Sequence, residues 1–370
     1  MLRYFRGSLI FTVACLAFAA WFGWSRSGTL GGALQMLWIV AILAVLEVSL
    51  SFDNAVVNAT VLEKQDAIWR RRFLTWGMVF AVFGMRIVFP LAIVAVAAGI
   101  GPLEALRLSL QRPDEYEAIV SGAHLTIAGF GGTFLAMVGI KFFFDSDKHV
   151  HWIGTIEKRL AQFGEIDAFG LAILLLVVLG FTRLLGDGAA RQFVQAAMLG
   201  VAAFVAVEAI GHWLERSDFG GGRSGLGGFI YLNVLDASFS FDGVIGAFAL
   251  SNNMVVIALG LSIGAMFVRS LTIMLVEKGS LAEYRYLEHG AFWAILALAG
   301  IMLASSSFHI PETLTGLIGG ALIAASLYWS VRRNRRMEQQ RRSKPADEGA
   351  ETPTNQPRIA KADSTKKSPH

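Results

Sequence analysis

Ten stretches of this chain are apolar and long enough to cross a bilayer: residues 8–24, 32–62, 73–100, 121–143, 168–186, 193–213, 228–250, 254–276, 290–309 and 312–331. Crossing the hydrocarbon core takes about 20 apolar residues in a helix. Lipid offers backbone groups no partner, so each crossing must satisfy its own N–H and C=O groups. The fold expected is therefore an all-α polytopic membrane protein of about ten helices, with residues 1–333 as the transmembrane domain. Composition agrees. Charged residues make up 16% of the chain, well below the roughly 25% of soluble domains.

Cys15 is the lone cysteine, which excludes an intrachain disulfide and a cysteine-built metal site. Arg3 and Arg6 precede the first apolar run, a pattern that a cleaved signal peptide shares. An N-terminal anchor is the expectation, because no soluble domain follows it. Residues 334–370 are polar, rich in Pro, Lys, Ser and Thr, and read as a disordered basic cytoplasmic tail.

Lysine and arginine favour the cytoplasmic side. With the N-terminus inside, the inner segments hold Arg70, Arg71 and Arg72, and later Arg332, Arg333, Arg335 and Arg336; the outer ones hold only Arg26, Arg107, Arg112, Arg183 and Arg191. Ten crossings with both ends cytoplasmic follow. The outer segment 101–120 carries Pro102, Pro113, Asp114, Glu115 and Glu117. It reads as a solvated loop, with a short surface helix as the alternative.

One octapeptide occurs twice. Leu46-Glu47-Val48-Ser49-Leu50-Ser51-Phe52-Asp53 matches Leu235-Asp236-Ala237-Ser238-Phe239-Ser240-Phe241-Asp242 at five of eight positions, and a sixth exchanges Glu for Asp. The copies fall in the second and seventh expected crossings. Five crossings apart, they run in opposite directions, as in the inverted repeats of many transporters. The repeat halves are roughly 32–145 and 228–310. Arg86 lies 33 residues after Asp53, and Arg269 lies 27 after Asp242, a looser match in the next crossing of each half.

An ionised carboxylate at mid-bilayer costs about 2.5–3.5 kcal/mol on insertion scales. Glu47, Asp53, Asp236 and Asp242 must therefore be paired, protonated or bound to a cation. Arg86 and Arg269 can balance two of these charges; a divalent cation or two protons would balance the rest. Oxygen donors without thiolate or imidazole suit hard ions such as Mg²⁺, Ca²⁺ and Mn²⁺. Ser51, Asn54 and Ser240 are additional candidate ligands. Six residues of helix leave the two acids of a copy about 120° apart, whereas the polar residues alternate with period two, the signature of an extended backbone. Each span is thus expected to break near its serines. Glu208 and His212 share a helical face and read either as a proton relay or as residues of the inner rim. Lys141 and Asp145 read as an interfacial pair.

At these motifs the chain resembles the TerC family of tellurium-resistance-type membrane proteins, in its uncharacterised bacterial branch, and the LysE-like transporter group to which that family is similar. Leu46 to Ala55 and the copy ending Ser240-Phe241-Asp242-Gly243 carry the resemblance, which covers roughly residues 35–310. It implies export of Mn²⁺ or Ca²⁺, with Glu47, Asp53, Asp236 and Asp242 as ligands. The chain departs from more familiar members in its long flanks and in the extra helical material between the repeats. The expectation is a multi-pass bacterial inner-membrane exporter of a divalent cation, without a permanent cofactor, whose partners are the bilayer and the ion. Proton exchange accompanies it, since a carboxylate desolvated without a cation favours its neutral form. An exporter of a cationic organic solute and a non-transport stress-response scaffold are the alternatives. No nucleophile–base pair, phosphate loop or HExxH segment suggests an enzyme.

Overall fold

The computed structural model describes residues 2–63, 65–77, 79–145, 150–163, 169–216, 226–248, 250–251, 253–279, 283–308, 310 and 312–343. Their regular structure is all helix, with no strand among them. The helices are α1 (Leu2–Ser27), α2 (Leu30–Leu50), α3 (Phe52–Glu63), α4 (Ala67–Arg72), α5 (Phe89–Ala98), α6 (Pro102–Gln111), α7 (Pro113–Gly122), α8 (His124–Phe143), α9 (Gly154–Phe163), α10 (Phe169–Thr182), α11 (Asp187–Arg216), α12 (Leu226–Phe248), α13 (Met254–Lys278), α14 (Leu287–Ser305) and α15 (Glu312–Ser343). Among the described residues six helices are long and apolar enough to cross a membrane: α1, α2, α8, α11, α13 and α14. The protein is thus a helical, membrane-embedded one.

Local chemistry sets several helix ends. The Thr29 hydroxyl accepts from the Gly32 N–H and opens α2. Asn253 opens α13 in the same manner, its side chain accepting from the Val255 and Val256 N–H groups, and Gly279 ends that helix at φ 61°. Gly279 suits this left-handed position because it has no Cβ to clash.

Three segments differ from expectation. Residues 73–100 do not form one α-helix. Phe73–Gly77 and Phe80–Val88 are π-helical, and only Phe89–Ala98 is α. The fifth expected crossing reduces to the 14 residues of α10, short of a full span. Segment 101–120 is no solvated loop. Pro102 and Pro113 each start a helix, where a missing N–H costs nothing. Ala105 and Leu108 on α6, and Tyr116 and Val120 on α7, recur at helical spacing and are buried.

The chain divides into two units, Met1–Ser330 and Val331–His370. The first holds two main apolar cores. One gathers side chains of α3, α8, α11 and α14, including Val57, Phe134, Phe193 and Ile295; the other gathers α1, α2, α7 and α13, including Ala19, Leu43, Tyr116 and Ile257. In the second unit helix continues to Ser343, so residues 334–343 are not disordered. The expectation of disorder for 344–370 lies outside the described residues.

Candidate functional site

The first acidic copy sits at a helix junction. α2 ends at Leu50, α3 begins at Phe52, and Ser51 between them has φ −104° and ψ 17°. The junction is a break in the helix and not an extended strand. Ser51 N–H still donates to the Glu47 carbonyl at 2.9 Å, and Ala55 N–H reaches the Ser51 carbonyl at 3.4 Å. The serines serve the helix. Ser49 Oγ donates back to the Val45 carbonyl, and Ser51 Oγ donates to Glu47 Oε1 at 3.1 Å. An extended segment would leave backbone groups unpaired where no water can reach them, and this packing avoids it. The second copy shows no break at all: α12 runs unbroken from Leu226 through Asp242 to Phe248. The alternating polar pattern therefore misreads both copies as extended, and it locates a helix break in only one.

Nine of the twelve residues of α3 are buried, Asp53, Asn54 and Asn58 among them. A helix covered on nearly every side faces protein, so its polar groups avoid lipid. Glu47 on α2 is 2% exposed and Asp53 is 5% exposed. Arg86 Nη2 donates to Glu47 Oε1 at 2.5 Å. This guanidinium comes from the π-helical stretch Phe80–Val88.

Glycines let α12 and α13 approach. A Cβ on Gly264 of α13 would stand 2.2 Å from Glu47 Cγ, and one on Gly260 would stand 2.4 Å from Leu43 Cβ. The four-residue spacing of small residues lets α2 and α13 pack backbone to backbone. A Cβ on Gly243, the residue after Asp242, would stand 2.7 Å from Glu47 Oε2. The end of the second copy is thus against the first acid of the first copy. Asn58 of α3 supplies a second link, its Nδ2 donating to Asp236 Oδ1 at 3.4 Å.

A cavity of about 30 Å³ opens beside the junction, lined by Glu47, Ser51, Asp53, Asn54 and Gly243 and closed by Ala294 and Leu298 of α14 and Gly319 and Gly320 of α15. That is room for a water or a small cation. Asn54 N–H donates to Asp53 Oδ1 at 3.0 Å. The Oδ1 atoms of Asn54 and Asn58 are buried without a hydrogen-bond donor. A buried orphan acceptor costs about 1–3 kcal/mol, which a donor or cation beside it would recover. Carboxylate, amide and hydroxyl oxygens form a donor set for hard cations. Among the described residues no three His, Cys, Asp or Glu side chains stand within reach of one metal ion. Any ion here would draw on Asn54, Ser51 or backbone oxygens besides the acids. The side chains of Asp242, Ser240 and His212 lie outside the described set.

The remaining candidates separate from this cluster. Arg269 Nε donates to the Leu74 carbonyl at 3.0 Å, within the first π-helical stretch, and makes no ion pair with an acid among the described residues. Glu208 on α11 is ion-paired with Lys141 on α8, with the lysine more than half exposed. Lys141 thus reaches across to α11.

Gly260 and Gly264 also belong to the site, and their four-residue spacing is a signal the sequence carries. The sequence reading passed over Glu157, 2% exposed at the start of α9. That carboxylate accepts from the Trp152 and Ile153 N–H groups at 2.8 and 3.2 Å and from Trp293 Nε1 at 3.0 Å, with His289 Nε2 3.5 Å away. It reaches back to the helix start as a capping-box acid does.

Residues 52–337 match the family described as "Protein of unknown function (DUF475)", a span that covers most of the 370 residues. The chain belongs to the DUF475 family. The DUF475 match includes Asp53, Arg86, Asp236 and Asp242, while Glu47 stands just ahead of it. No curated protein and no solved structure matches this DUF475 chain.

Proposed function

We propose that this protein exports a divalent cation, Mn²⁺ before Ca²⁺, across the bacterial inner membrane in exchange for protons, with no permanent cofactor. The observation that carries the reading is the buried cavity where Glu47, Asp53 and Asn54 offer oxygens beside Gly243 of the second copy. Buried acids, an orphan amide oxygen and the absence of thiolates in the lining favour a hard ion. The resemblance to the TerC family supports the direction of transport, which a binding site by itself does not encode.

The proposal includes ten crossings, with the short α10 as one of them, both termini cytoplasmic, and halves 32–145 and 228–310 related as an inverted repeat. Crosswise packing supports the repeat. α2 of the first half lies against α13 of the second, and the π-helical stretch of the first half lies against both α12 and α13 of the second. A pseudo-twofold relation pairs elements in this manner. Alternating access would expose the ion first to one side and then to the other.

The test is transport in vesicles reconstituted with full-length protein, comparing Mn²⁺, Ca²⁺, Mg²⁺ and Zn²⁺. Asp53→Asn and Asp242→Asn are expected to abolish Mn²⁺ movement at unchanged protein content. Wild-type rates in both variants would refute the reading. Thermal stabilisation by amino acids such as lysine, with none by metal, would move it to a cationic organic solute.

A further inference from the structure

We infer that Arg86 is a tethered counter-ion that competes with the transported cation for Glu47, and so sets how readily the site releases its cargo. The inference rests on the cation-transport reading above. Glu47 Oε1 accepts from both Arg86 Nη2 at 2.5 Å and Ser51 Oγ at 3.1 Å. A cation bound by that oxygen has to take the place of the guanidinium. The carboxylate itself is not free to swing away. Gly264 lies close beside its stem and Gly243 close beside its second oxygen, where an added Cβ would stand at 2.2 Å and 2.7 Å respectively. Movement therefore falls to Arg86.

Arginine stays charged at all physiological pH values, so it leaves a carboxylate by moving and not by losing its proton. Phe80–Val88 is π-helical, and π turns, wider than α and rare, concentrate at functional sites. Arg86 also lies within electrostatic reach of Asp236, an acid of the other copy. One guanidinium thus acts on acids of both copies. Its return displaces the cation. A site built only of acids in a low-dielectric interior would hold a divalent ion too tightly for turnover.

The experiment measures Mn²⁺ binding to full-length protein in nanodiscs, by titration calorimetry and by the metal-induced rise in thermal midpoint. Losing a charged hydrogen-bond competitor should tighten Mn²⁺ binding by roughly tenfold in Arg86→Gln, enlarge the metal-induced rise in midpoint, and slow release from loaded vesicles. Arg86→Lys keeps the buried charge but lacks the two-pronged fork. It is expected to fold where Arg86→Gln does not, and to shift affinity in the same direction by a smaller factor. Unchanged or weaker Mn²⁺ binding in Arg86→Lys, or in a folded Arg86→Gln, overturns the inference and leaves the transport reading standing. Wild-type protein that binds no divalent cation overturns both.

Discussion

Glu47 shows how much one buried acid depends on what its neighbours lack. Gly264 lies against its stem, and any side chain there would meet Glu47 Cγ before reaching solvent. Gly264→Ala should destabilise the protein by about 1–3 kcal/mol, the usual cost of overpacking, and lower metal affinity with it. Gly264→Val should cost more. Thermal midpoints in nanodiscs, followed by Mn²⁺ titration, check both. Glu157 offers a parallel case outside the cavity. Glu157→Ala leaves two backbone N–H groups and the Trp293 indole without their acceptor. Loss of a buried charged acceptor predicts a destabilisation of about 3–5 kcal/mol, with transport specificity unchanged in whatever protein still folds. The acids at Glu47 and Asp53 were legible from sequence because a charge inside an apolar run has to be explained. Glu157 was not, since it stands in a polar stretch where a carboxylate draws no notice until Trp293 arrives from a distant helix.

Among the elements, α3 is short, polar in places and buried, so its ends need support. Arg70 provides it at one end, with Nε donating to the Leu62 carbonyl at 3.0 Å and Nη2 to the carbonyls of Glu63 and Gln65, each at 3.2 Å. Helix ends leave carbonyls unpaired, and a cation there also opposes the negative pole. Arg70→Ala should cost about 1–2 kcal/mol and speed hydrogen exchange over residues 62–66, while leaving exchange in α13 unchanged. The long helices α1, α8, α11, α13 and α14 were readable from apolar length alone. The π-helical stretches were not: adding one residue to a turn leaves the apolar pattern almost unaltered, and the choice between turns is made by packing. The period-two arrangement of Ser49 and Ser51 misled for a different reason. Serine in an apolar helix can satisfy itself on the carbonyl four residues back, so its spacing carries no strand signal.

At the scale of the whole molecule, the first question is which way the chain faces. The sole natural cysteine, Cys15, is buried, so a Cys15→Ser background is a clean host for labelling. Arg335→Cys is expected to react with a membrane-impermeant maleimide only from the cytoplasmic face, and Glu115→Cys only from the opposite one. The reverse pattern would overturn the proposed orientation. Helical class and membrane residence could be read from hydropathy, which reports what lipid tolerates. The two apolar cores could not, because they depend on which helices meet.

The two acidic octapeptides are alike in sequence and unlike in mechanics. The first is interrupted at Ser51, while the second lies within continuous helix. A junction between two helices, even one whose backbone hydrogen bonds carry across it, bends at smaller cost than continuous helix. Whatever enters between them would meet a hinge on one side and an anvil on the other, so that two related peptides share the load unequally.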